Sequence, residues 1–105
     1  MKFGLKNKVL QQIQTVFADF PAVEEVVIYG SRAKGTYRLG SDIDLTLKGQ
    51  GINLKLMNEI GLRLDDLLLP YTFDISLYHQ IKDPDLLAHI QRVGAVLFYR
   101  HKAEF

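Results

Sequence analysis

The run "DIDLTL", Asp42 to Leu47, constrains the fold more than any other stretch of the chain. Its apolar side chains occupy every second position: Ile43, Leu45 and Leu47. Successive side chains of a strand point to opposite faces of a sheet, so this alternation predicts a half-buried strand. Its other face would carry Asp42, Asp44 and Thr46. Aspartate is disfavoured in strands, and two in one strand therefore need an explanation.

The remaining patterns predict an alternation of helices and strands around this run. Apolar spacing predicts a helix from Lys6 to Phe20 that Pro21 ends. "GSRAKG" should open a short helix in the turn-rich segment 31–41. The later elements are a helix at about 53–68, a strand at 71–78, a helix from Pro84, after the N-cap Asp83, to about Arg92, and a short strand over 95–100.

The short link between the first two strands indicates a mixed sheet rather than a parallel one. We expect strands 24–30, 42–47 and 71–78 to form this sheet, with helices packed mainly on one face. The fold class is therefore α/β (α+β), and we expect a single domain over residues 1–105.

Composition excludes several classes of protein. Hydrophobic residues make up 48% and charged residues 24% of the 105 residues, as in soluble globular proteins. The net charge of +1 gives no strong signal for nucleic acid or membrane binding. There is no cysteine, so disulfides and thiolate metal sites are excluded. With no signal peptide or membrane-spanning run apparent, we expect a cytoplasmic protein.

The aspartates suggest a metal site. Asp42 and Asp44 would lie about 7 Å apart on one strand face, where two carboxylates repel each other. Magnesium would remove that cost, because it takes carboxylate oxygens and fills its other positions with water and phosphate. Asp74, in the middle of strand 71–78, would join them if the two strands pair. The alternative is that all three are solvated polar-face residues.

The Gly30–Ser31 turn suggests a phosphate site. Glycine lets backbone amides approach a ligand, and serine adds a hydroxyl near a helix N-terminus, where phosphate oxygens bind. Arg32, Lys34 and Arg38 add positive charge. The segment is neither a Walker A loop nor a G-x-G-x-x-G motif. The alternative is an ordinary strand-to-helix turn.

Together these features resemble a known signature. "GSRAKGTYRLGSDIDL" is similar to the motif of the DNA polymerase β-type nucleotidyltransferase superfamily, and more closely to that of the minimal nucleotidyltransferases (MNT proteins) of bacteria and archaea. The matching residues are Gly30, Ser31, Ala33, Gly35, Ser41, Asp42, Asp44 and Leu45. The resemblance implies the nucleotidyltransferase fold, a mixed sheet backed by helices.

The resemblance also implies roles for residues. Gly30 and Ser31 would hold a nucleoside triphosphate, ATP or another, and Arg32, Arg38 and Ser41 are further candidates for binding it. Asp42 and Asp44 would bind two Mg²⁺ ions. Asp74 would also bind metal and help to activate the attacking hydroxyl.

The MNT resemblance implies a partner. Such proteins pair with a small all-α HEPN protein, which can be a toxin that the MNT antitoxin adenylylates. The implied reaction transfers AMP from ATP to a hydroxyl of that partner. A partner chain or a homo-oligomer would complete the site, since no acceptor-binding domain is visible. The alternative is a non-catalytic module that binds a nucleotide or scaffolds its partner.

The remaining polar and aromatic residues carry less signal. His79, His89 and His101 have no ligand spacing and are expected to be surface or capping residues. Tyr37 would stack on a base or simply pack. The tail 101–105 is expected to fray.

Overall fold

The computed structural model describes residues 1–100, so the predicted tail, with His101, lies outside the described residues. The helices are α1 (Asn7–Ala18), α2 (Gly30–Lys34), α3 (Leu54–Asp65) and α4 (Pro84–Val93). The strands are β1 (Glu25–Tyr29), β2 (Ile43–Lys48), β3 (Phe73–Leu77) and β4 (Ala95–Tyr99), and a 3₁₀ turn spans Tyr78–Gln80. The predicted order of elements is confirmed.

The four strands form one mixed sheet in the order β3-β2-β1-β4. β1 pairs antiparallel with both β2 and β4, whereas β2 pairs parallel with β3. The sequence had placed three strands in the sheet, and β4 adds a fourth beside β1, with a bulge between Val26 and Val27. The mixed sheet that the sequence predicts is therefore confirmed.

The main core lies between one face of the sheet and the helices α1 and α3. The alternating residues of β2 are fully buried there, as predicted: Ile43, Leu45 and Leu47. Val26 and Ile28 of β1 and Leu97 of β4 join the same cluster, with Ile13 and Phe17 from α1 and Ile60 and Leu64 from α3.

The opposite face of the sheet is only partly covered. Val27 and Tyr29 of β1 pack there against Ile90 of α4, with Leu86 beside them. α4 thus lies over the β1 half of the second face, while the two longest helices share the first face. The β2–β3 half of the second face is where the polar residues of those strands lie.

Helix boundaries follow local chemistry. Asn53 Oδ1 accepts a hydrogen bond from Leu56 N (2.9 Å) at the start of α3, and Asp83 Oδ1 accepts one from Asp85 N (2.9 Å) at the start of α4. α3 ends three residues earlier than predicted, because Leu68 adopts a left-handed conformation (φ 55°) that cannot continue the helix. No helix within residues 1–100 is long and apolar enough to cross a membrane.

Candidate functional site

Two of the predicted carboxylates lie side by side on the second face of the sheet. Asp44 of β2 is the in-register partner of Asp74 of β3. Because the two strands are parallel and in register, their side chains at these positions point to the same face. Asp42 directly precedes β2 and is exposed, as is Asp74. The condition under which Asp74 would join Asp44, the pairing of these two strands, is thus met.

The charge of Asp44 is costly in this arrangement. Burial raises the pKa of the Asp44 carboxyl, and the carboxylates of Asp74 and Asp42 raise that pKa further, while His89 opposes them. The carboxylates of Asp74 and Asp42 are thus both close enough to act on the charge of Asp44. A bound cation would relieve their mutual repulsion.

Tyr29 extends this row by one strand. It is the in-register partner of Asp44 on β1, so Tyr29, Asp44 and Asp74 follow one another across three strands. Burial raises the pKa of the Tyr29 phenol; a hydrogen bond with the Ser76 side chain lowers it, and Asp74 and Asp44 raise it. The phenol therefore stays protonated at neutral pH and keeps a hydroxyl hydrogen to donate.

Gly30 forms the junction between β1 and α2, directly beside Asp44. Its φ of 72° lies in the left-handed region, and a Cβ there would collide with Asp44 Oδ2. The Gly30 N–H donates a hydrogen bond to Nε2 of His89, 3.1 Å away on α4. Ser31 follows in the first turn of α2, where helical N–H groups have no partner within the helix.

Arg32 is buried, with 3% of its surface exposed, and it contacts the backbone. Its Nε and Nη2 donate to the carbonyl oxygen of Ser41 (3.0 and 2.8 Å), and its Nη1 donates to that of Phe3 (3.0 Å). The guanidinium lies over the rings of Tyr37 and Tyr71, 5.5 and 5.0 Å from their centroids. These contacts fasten the loop 35–41 to the body of the protein just before Asp42.

Ser41 and Arg38 close that loop. Ser41 Oγ accepts a hydrogen bond from Arg38 N (2.8 Å), and Ser41 N donates to Arg38 O (3.0 Å). The Arg38 side chain is exposed. Arg38 and Tyr37 border a cavity of about 280 Å³ together with Tyr71. Of the two arginines predicted to contact a nucleotide, Arg38 is the one whose side chain is open to solvent.

Sequence reasoning missed two residues of this site. Tyr29 reads as an ordinary strand aromatic, and only the register of β1 with β2 places it beside Asp44. His89 was expected to be a surface or capping residue; it is half-buried and caps the start of α2 by accepting the Gly30 N–H, but its place in this site was not predicted. Its position offers a signal, because it falls with Leu86, Ile90 and Val93 on one face of α4.

The donor chemistry suits a hard divalent cation. Carboxylate oxygens are the side-chain ligands that magnesium prefers. Among residues 1–100, no group of three or more acidic or histidine side chains is placed so that it could hold a metal ion. Magnesium usually takes one or two carboxylates and fills its other positions with water and substrate phosphates.

Comparison with protein families gives a match over nearly the whole chain. The model of the family described as polymerase beta, nucleotidyltransferase matches residues 11–103, which include all the site residues described above. A comparison with curated protein sequences gives no match.

Solved structures share the fold at low sequence identity. A toxin–antitoxin structure with AMP-PNP has a TM-score of 0.71 at 19% identity, over 87% of this chain and 73% of that chain. A toxin–antitoxin MntA–HepT structure gives 0.67 at 15% identity, over 90% and 74%.

A third similar structure is the complex of tri-AMPylated Shewanella oneidensis HEPN toxin with MNT antitoxin. It gives a TM-score of 0.68 at 15% identity, over 91% of this chain and 74% of that chain. Identities this low establish the likeness of fold, and the family match covers the chain independently. The chain therefore belongs to the polymerase beta nucleotidyltransferase family.

Proposed function

We propose that this protein is a magnesium-dependent nucleotidyltransferase that transfers AMP from ATP to a hydroxyl of a HEPN-family partner, as the antitoxin of a toxin–antitoxin pair. The observation that carries the proposal is the in-register pair Asp44–Asp74 beside the Gly30–Ser31 junction. The similar structures support the class of partner, since two of them are toxin–antitoxin structures and a third is a complex of tri-AMPylated HEPN toxin with MNT antitoxin.

The reaction is an in-line displacement at the α-phosphorus. The acceptor oxygen forms a bond to that phosphorus, the bond from the phosphorus to the α,β-bridging oxygen breaks, and pyrophosphate leaves. Asp42, Asp44 and Asp74, together with the triphosphate, would hold two Mg²⁺ ions, which would supply charge neutralisation for both the attacking and the leaving oxygen. The protein then contributes mainly position and charge.

Each site residue has a distinct task in this scheme. The Ser31 hydroxyl and the first-turn N–H groups of α2 hold phosphate oxygens. Asp74, exposed on an edge strand, accepts the proton of the acceptor hydroxyl. Arg38 is placed to meet the triphosphate from the loop. We propose that Arg32 and Ser41 instead stabilise the loop 35–41, because the Arg32 guanidinium donates its hydrogen bonds to backbone carbonyls.

The acceptor would come from the partner chain. β3 is an edge strand, and Asp74 on it is exposed, whereas α4 covers the β1 side of the same face. A partner hydroxyl therefore has open access to Asp74 from the β3 side. A homo-oligomer is a second way to complete the site.

A labelling experiment tests the transfer. The protein, Mg²⁺ and a HEPN protein encoded beside it are incubated with ATP labelled in the α-phosphate or, in parallel, in the γ-phosphate. We expect the partner to take up label from α-labelled ATP alone, because the γ-phosphate departs with pyrophosphate. Asp44→Asn and Asp74→Asn should lower labelling at least about a hundredfold. The control Asp65→Asn, an exposed acid at the end of α3, should label normally.

Two outcomes of this experiment would contradict the proposal. Transfer of label from γ-labelled ATP would indicate a kinase, and labelling by Asp44→Asn equal to that by the wild type would show that Asp44 is not part of the active site. If the wild type binds and neutralises its partner without labelling it, the protein is the non-catalytic module instead.

A further inference from the structure

His89 is the one histidine within residues 1–100 that hydrogen bonds at the proposed triphosphate site. It lies on the sheet-facing side of α4, in register with Leu86 and Ile90. Its ring meets the Tyr29 ring edge-on, with centroids 6.1 Å apart and planes at 81°. The ring is therefore held by α4 and β1 together, at the end of the strand that leads into Gly30.

The hydrogen bond from Gly30 fixes the chemical form of the ring. A backbone N–H can only donate, so Nε2 of His89 accepts and carries no proton in this arrangement. The neutral ring that makes this bond therefore has its hydrogen on Nδ1.

The bond also fixes the peptide that begins the Gly30–Ser31 turn. Tyr29, at the N-cap of α2, makes no side-chain capping bond. His89, which lies on α4, provides the capping bond instead: it accepts one of the N–H groups of the first turn of α2 that have no partner within the helix. The space that a Cβ on Gly30 would occupy is taken by the Asp44 carboxylate. Gly30 is thus held between α4 and the carboxylate row.

We propose that His89 is a positioning residue: by accepting the Gly30 N–H at Nε2 it orients the β1–α2 turn so that the remaining first-turn N–H groups and Ser31 face the triphosphate. The inference rests on the proposed nucleotide binding at this turn. It requires that the acceptor atom, and not only the shape of the ring, determines nucleotide affinity.

Two substitutions at position 89 separate the acceptor from the ring. His89→Phe keeps a flat ring against Tyr29 and removes the acceptor. His89→Gln removes the ring and places an amide oxygen near the position of Nε2. His79→Phe is the matched control, because His79 is an exposed histidine on the 3₁₀ turn after β3.

The measurement is the dissociation constant for Mg²⁺ with an ATP analogue that has a methylene bridge between the α and β phosphorus atoms. We expect His89→Phe to weaken binding about five- to tenfold, the effect of one hydrogen bond. His89→Gln should recover most of that loss, and His79→Phe should match the wild type. In the transfer assay, KM for ATP should rise in His89→Phe with kcat nearly unchanged.

Nitrogen NMR of the wild type adds a readout independent of activity. We expect the neutral form of His89 to be the Nδ1–H tautomer. An Nε2–H tautomer, unchanged affinity in His89→Phe, or equal weakening in both variants would overturn the inference. If the affinities follow the expected pattern while no partner is labelled, the transferase proposal fails and the positioning role stands. If the wild type does not bind the analogue at all, both fail.

Discussion

Gly30 shows how closely a single residue can be constrained by the site. Its backbone is left-handed, its Cα faces Asp44 Oδ2, and its N–H bonds to His89. Gly35 shares only the first of these constraints. Gly35 has a φ of 82°, and a Cβ there would meet open space.

The comparison of these two glycines gives the first prediction. Gly35→Ala should cost only the strain of a left-handed alanine, about 1–2 kcal/mol. Gly30→Ala should cost more by a further 1–3 kcal/mol, roughly, because its Cβ also displaces the Asp44 carboxylate. Urea unfolding of both variants checks this difference. Equal losses of unfolding free energy would mean that Asp44 moves aside freely.

Asp44 gives a prediction about pH. Its folded pKa lies above the unfolded value of 3.8, through burial first and then Asp74 and Asp42. Between those two pKa values the native chain binds more protons than the unfolded chain, so stability falls as pH rises through that window. At pH values above the folded pKa, the ionised Asp44 carboxylate lowers the unfolding free energy by its full amount.

Asp44→Asn should therefore be more stable than the wild type at pH 7 without metal, with a melting temperature a few degrees higher. The gain should shrink as pH falls to 3 or below. Asp65→Asn, exposed on α3, should show no such pattern. The pH dependence of thermal unfolding checks this, and a gain that is independent of pH would point to packing instead.

In the loop between α2 and β2, the roles predicted from the sequence differ most from the contacts seen in the structure. The sequence suggests that Arg32 and Arg38 serve the same purpose, two cations near a phosphate turn. The fold buries one beneath two tyrosines with its donors on Ser41 and Phe3 carbonyls, and leaves the other exposed. Part of the difference depends on Phe3 and Tyr71, which lie 29 and 39 positions from Arg32 in the chain and which local spacing cannot reveal.

Arg32→Lys tests that structural role. Lysine keeps the charge and loses the fork that reaches two carbonyls, so we expect a loss of about 2–4 kcal/mol in unfolding free energy. Arg38→Lys should change stability by less than about 0.5 kcal/mol, because its side chain is exposed. Denaturant unfolding compares the two, and a small loss for Arg32→Lys would contradict the anchoring role.

The periodicity of the apolar residues was sufficient to predict the helices and strands, but it does not show which of these elements pack against one another. Alternation in β2 and β3 correctly separates Ile43 and Ile75 from Asp44 and Asp74. The same patterns contain nothing about α4 crossing the second face, and so nothing about His89 beside Gly30. Arg100 is a similar case: its Nε donates to Val23 O (3.0 Å) and its Nη2 to Phe17 O (3.2 Å), so the end of β4 fastens the end of α1.

At the scale of the whole molecule, the site joins elements that are distant in sequence. β1, the α2 junction, β2, β3 and α4 each contribute at least one of its residues, and the acids among them repel one another. A ligand that neutralises those acids binds the folded chain and not the unfolded one. Binding should therefore appear as stability of the entire fold.

The last prediction follows from that linkage. With Mg²⁺ and the α,β-methylene analogue of ATP at a hundred times its dissociation constant, the unfolding free energy should rise by about 2.7 kcal/mol. A chelator should abolish most of the gain, because the acids and the phosphates would then repel each other. Asp74→Asn should reduce the gain at the same ligand concentration, whereas Asp65→Asn should keep it. If the gain in unfolding free energy survives both the chelator and Asp74→Asn, the nucleotide binds away from Asp44 and Asp74. A nucleotide bound beside these two carboxylates would depend on their charge and on Mg²⁺.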